Sequence, residues 1–132
     1  MRTIGRVRRF PSNDMEATVN ATKSSTKPTI ARIWRGRTTR AKADEYAAYL
    51  YEHGIKPLEE KALAVQQLRE DRAQESEFIT ISYWENVEAM SRFTGADPRQ
   101  IHHLPRDKDF LIELPESVQV LNITAAKGVF GI

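Results

Sequence analysis

The stretch Glu77-Phe78-Ile79-Thr80-Ile81-Ser82-Tyr83-Trp84 runs without a break into Glu85-Asn86-Val87. Its β-branched and aromatic side chains suit a pleated strand. Phe78, Thr80, Ser82 and Trp84 share one face, and Ile79, Ile81 and Tyr83 share the other. Both faces carry large apolar groups, which predicts a strand covered on each side. A helix follows at once. Asn86 is placed to cap it, Glu88 suits its first turn, Val87, Met90 and Phe93 form an apolar stripe, and Gly95 ends it.

Working outward, Thr29 to Arg37 reads as the first strand, with Ile30, Arg32 and Trp34 opposite Ala31 and Ile33. A first helix follows, capped by Thr38 or Thr39, with Ala43, Tyr46, Ala47 and Leu50 on its apolar stripe. Gly54 is a natural stop and Pro57 reinforces it, with a helical turn resuming over Leu58 to Lys61. Leu63 to Arg69 is the second strand, and Asp71 to Ser76 is a polar connection. Beyond Gly95, Asp97-Pro98 starts a helical turn that carries His102 and His103 near its end. Pro105 to Asp109 reads as a charged loop, and Val118 to Ile123 as the last strand.

The order β-α-β-β-α-β predicts a ferredoxin-like α+β fold, a four-stranded antiparallel sheet with two helices on one face. The helices shield that face and are expected to leave Trp34, Trp84 or their neighbours on the other. An open apolar sheet face marks an interface, and a second copy related by a twofold axis would cover it.

The domain is expected to span 28–124, between a basic and polar disordered tail over 1–27 and a C-terminal tail over 125–132. The chain has 132 residues, 20 basic and 18 acidic, for a net charge of +2. Arg2, Arg6, Arg8, Arg9 and Asp14 account for that excess, because the remainder holds 16 (20 − 4) basic and 17 (18 − 1) acidic groups. General attraction to nucleic acid therefore has little support. The RNA-recognition pattern of sheet aromatics and glycines is absent. No run approaches the roughly 20 apolar residues of a membrane helix. There are no cysteines, which excludes disulfides and thiolate chemistry and fits a reducing, cytoplasmic setting. Arg8-Arg9-Phe10 precedes Pro11 and no apolar segment, so no secretory signal is expected. Met15 is an alternative start, and an Arg-rich, acid-poor beginning also suits a targeting segment.

Ala31-Arg32-Ile33-Trp34-Arg35-Gly36, Ala43-Asp44-Glu45-Tyr46 and Glu77 to Asn86, with Phe93 on the helix that follows, resemble the antibiotic biosynthesis monooxygenase-like family. That family belongs to the dimeric α/β-barrel superfamily, and the resemblance spans about residues 29 to 124. It implies a homodimer and a cofactor-independent monooxygenase acting on a small aromatic or polyketide-like molecule, with no metal and no flavin. It also implies two alternatives, a non-catalytic dimer that binds a small ligand or serves in stress, and a haem-binding or haem-degrading monooxygenase. In haem-degrading relatives a histidine near the end of the second helix region binds the iron. His103 stands at that position. Phe93 stands ten residues earlier where those relatives have tryptophan, and no asparagine lies between Thr29 and Thr38.

Arg32, Trp34 and His103 are the candidate catalytic residues. Trp34 would stack on a flat substrate and Arg32 would hold an anionic or enolate oxygen. Tyr49, His53, Trp84, Phe93, His102 and Phe110 are the candidate pocket residues. Both tryptophans also suit a core or an interface. No Gly-x-Ser-x-Gly elbow is present, and no His, Asp and Glu spacing indicates zinc.

Overall fold

The computed structural model describes residues 27–95 and 97–128. The alternation expected of the aromatic strand is realised residue by residue. Strand β3 (Glu75–Trp84) buries every second side chain: Ser76, Phe78, Thr80, Ser82 and Trp84. It pairs antiparallel with β1 (Ile30–Thr39), setting Ile30 beside Trp84, Arg32 beside Ser82, Trp34 beside Thr80 and Gly36 beside Phe78. Strand β2 (Ala64–Asp71) flanks β3, and β4 (Gln119–Asn122) flanks β1. The sheet order is β2-β3-β1-β4, the ferredoxin-like arrangement predicted above.

Helix α1 (Ala43–Leu50) packs Ala43, Tyr46 and Leu50 on Phe78, Phe110 and Leu111. A single 3-10 turn, Arg40–Lys42, leads into it. Neither expected cap acts: the Thr39 side chain makes no capping bond, and the Thr38 hydroxyl is buried without a partner among the described residues. Nor does the helix stop at Gly54. A π turn, Tyr51–Ile55, carries the chain into α2 (Lys56–Lys61), with the Lys56 N–H donating to the Tyr51 carbonyl. Pro57 sits in the first turn of α2, directly after the π turn. Gly54 serves packing instead. A Cβ there would lie 3.1 Å from Leu50 Cδ1 and 3.5 Å from Leu104 Cδ1.

Helix α3 (Val87–Thr94) begins as expected, with Asn86 Oδ1 accepting from the Ala89 N–H at 2.8 Å. Gly95, at φ 96°, ends it. Of the apolar stripe only Met90 is buried, while Val87 and Phe93 are exposed and Thr94 takes an inner position. Met90 joins Ile30, Leu58 and Trp84 in a second core cluster.

Both tryptophans therefore lie on the helix-covered face, where the sequence had suggested the other. Register with Phe78, which meets Tyr46 edge-on at 5.3 Å, fixes this side. The opposite face presents Ala31, Ile33, Ile79, Ile81 and Tyr83, flanked by Leu68 and Leu121, both more than two-fifths exposed.

The compact unit runs over Pro28–Ala126. Residues 123–127 lack regular structure. The expected tail over 1–27, apart from Lys27, and the last four residues lie outside the described residues. Among the described residues no helix is long and apolar enough to cross a membrane.

Candidate functional site

Strands β1 and β3 present an unusually polar row to the helices: Arg32, Thr80 and Ser82 lie between Trp34 and Trp84. Apolar side chains cannot pack flush against such a row without stranding its polar groups. A cavity of about 200 Å³ separates the layers here. Its walls are Trp34, Leu50, Ile55, Leu58, Phe93, Ile101 and Leu104, and its polar groups come from Arg32, His53, Thr80, Ser82, Thr94, His102 and Asp107.

Arg32 supplies the positive charge. Its Nε and Nη2 donate to the carbonyls of Pro98 and Gln100 at 3.2 and 3.1 Å, which ties the chain after α3 across the cavity. Burial lowers the guanidinium's pKa, yet arginine stays charged in proteins. Among the described residues Arg32 has no carboxylate within salt-bridge distance, whereas Arg37, Arg69 and Arg72 are all paired.

Asp107, 2% exposed, is the buried acid of the site. Its Oδ1 accepts from the Tyr46 hydroxyl at 3.0 Å and its Oδ2 from the Leu104 N–H at 3.0 Å. Burial first, and then the adjacent Asp107, push the Tyr46 phenol far above its ordinary range. Asp107 opens a short helix, α4 (Asp107–Phe110), within the segment expected to be a charged loop. Asp107 is the first helical residue, so its bond to the Leu104 N–H satisfies a backbone donor ahead of the helix.

His102 donates from Nε2 to the Thr94 carbonyl at 2.8 Å. A carbonyl only accepts, so the proton of this bond sits on Nε2. His53 comes from the π turn and packs on Tyr49, with ring centroids 4.8 Å apart.

Of the sequence candidates, Arg32, Trp34, His53, Phe93 and His102 meet around the cavity. The other four do not line it. His103 is exposed. The expected helical turn closes at Gln100, whose N–H reaches the Asp97 carbonyl, and residues 101–104 have no helical structure. Neighbours in such a segment do not share a helix face. Tyr49 and Phe110 stack at 5.6 Å under Arg106, whose backbone N–H donates to the Tyr49 hydroxyl. Trp84 lies in the second core cluster, its indole N–H donating to Ser82 Oγ at 2.9 Å. Thr80, Ser82, Thr94 and Asp107 were missed by sequence reading.

No protein-family description matches the chain, and no curated protein matches it. Among solved structures it resembles a Bacillus cereus protein provisionally named an antibiotic biosynthesis monooxygenase. The two share 14% identity with a TM-score of 0.55, over 77% of this chain and 99% of that one. The likeness establishes a common fold.

Proposed function

We propose that this protein is a monooxygenase that oxidises a small aromatic or polyketide-like molecule without metal or flavin, as a cytoplasmic homodimer. The observation that carries the reading is the cavity itself, in which an unpaired guanidinium, Arg32, lies beside the aromatic wall of Trp34. A cavity of roughly 150 Å³ holds benzene, so about 200 Å³ suits one ring or two fused rings.

Such a site fits a substrate with an acidic ring CH2 beside a carbonyl. His102 Nδ1, an acceptor when the ring is neutral, takes the proton, and the fixed charge of Arg32 holds the enolate oxygen. The carbanion passes one electron to O2, the radicals combine as a peroxide on that carbon, and loss of water leaves a carbonyl. The balance is CH2 + O2 → C=O + H2O, so no outside reductant is required.

The haem alternative has less support, because His103, the histidine that the resemblance would place on the iron, does not line the cavity. The test is oxygen uptake by chelator-treated protein with 2-indanone, 2-tetralone and anthrone. Uptake is expected to favour the two smaller ketones and to fall about 100-fold or more in Arg32→Met. No uptake with any of the three, or uptake indifferent to Arg32→Met, would sink the proposal.

A further inference from the structure

We infer that Gly36 sets the size of the molecule this cavity accepts, by letting the Trp34 indole lie flat along the sheet. The inference rests on the reading of the cavity as a site for an aromatic ligand. Residues 34 and 36 share the covered face of β1. A Cβ at position 36 would lie 2.5 Å from Trp34 Cη2 and 2.8 Å from Trp34 Cζ2, with Leu111 Cδ2 at 3.2 Å. The outer ring of the indole thus rests on the bare Cα of Gly36.

No backbone requirement explains this glycine. Its φ is not positive, unlike those of Gly95 and Gly128, and it sits inside an unbroken run of pairing with β3. A glycine there costs strand stability. What it provides is space for Trp34.

Any side chain at 36 must lift the indole. Leu111 is buried and belongs to the cluster against which Trp34 packs, so that direction is closed. The sheet lies beneath. The free volume is the cavity, which Trp34 already lines. The wall would then move inward, and larger ligands would be lost before smaller ones. Overpacking of this kind is worth about tenfold or more in affinity.

Two aryl carboxylates, benzoate and 1-naphthoate, serve as probes because each offers Arg32 an anion. Calorimetric titration of the full chain should find both bound by the wild type. Gly36→Ala should lose 1-naphthoate by about tenfold or more and keep most of its affinity for benzoate. The double variant Gly36→Ala with Trp34→Phe should regain 1-naphthoate to the level of Trp34→Phe alone, because phenyl lacks the atoms that reach over residue 36. It also serves if Gly36→Ala alone does not fold.

Unchanged 1-naphthoate binding in Gly36→Ala would overturn the inference. So would a double variant that binds worse than Trp34→Phe. If the wild type binds neither probe, the ligand class proposed above fails, and crystal structures of the variants still decide the role of Gly36. The indole should be rotated off the strand in Gly36→Ala, and an indole still flat would overturn the inference.

Discussion

Two buried oxygens show how differently the same layer treats polar groups. Asp107 has a phenol and an amide aimed at it, whereas Thr38 Oγ1 has no partner. A buried hydroxyl without a bond bears its full desolvation cost, and a methyl of the same shape does not. Thr38→Val is therefore expected to raise stability by about 1 kcal/mol, read as a higher urea midpoint at unchanged slope. A fall in stability would show that the hydroxyl does have a partner. At this scale sequence reading was uneven. Arg32 and Trp34 were legible because strand alternation places them on one face. His103 was chosen by its position in a resemblance, but the segment 101–104 is not helical, and His102 turns to the cavity instead. Asp107 was missed because a run of charges reads as solvated loop, and the buried Tyr46 hydroxyl that it accepts from lies 61 residues away in sequence.

At the scale of elements, the alternating strands and the Asn86 cap could be read directly, because each depends on neighbours within a few residues. The continuity of α1 through the π turn could not. Gly54 and Pro57 are ordinary stop signals, but Gly54 does not take the positive φ of a helix-ending glycine, and the chain stays helical through Tyr51–Ile55. The β2–β3 hairpin offers a pH test. Asp71 Oδ1 accepts from the Ser76 hydroxyl at 2.6 Å and pairs with Arg69 Nε at 2.7 Å. These two, the hydroxyl first, hold its carboxyl below the ordinary range. A depressed carboxyl stabilises the fold above its unfolded pKa of about 3.9, and that contribution disappears as pH falls through the folded value. Asp71→Asn should thus be less stable than wild type at pH 7, with the gap closing below about pH 4. A gap independent of pH would remove the carboxylate from the account.

For the whole molecule, the sheet is the organising object, with two faces of different use. The covered face trades packing for a polar cavity. The other presents Ile33, Ile79 and Ile81 with Leu68 and Leu121 at its flanks, an apolar patch of the kind that marks an interface. Self-association through this face is part of the proposed function. Light scattering at micromolar concentration should report a dimer for the wild type and a folded monomer for Ile81→Glu. A wild-type chain that stays monomeric would contradict it. Which face carried the tryptophans was beyond the sequence, since both faces of both central strands carry large apolar groups and only the packing of Phe78 on Tyr46 decides.

The central claim is that the cavity runs a one-oxygen transfer from O2, and isotope tracing tests it most directly. Turnover of 2-indanone by chelator-treated protein under 18O2 should place one labelled oxygen atom in the product and the other in water, with 18O-labelled dione incubated alongside to measure exchange of its carbonyl oxygen with solvent. Loss of label beyond that exchange, or a product carrying both labelled atoms, would contradict the account.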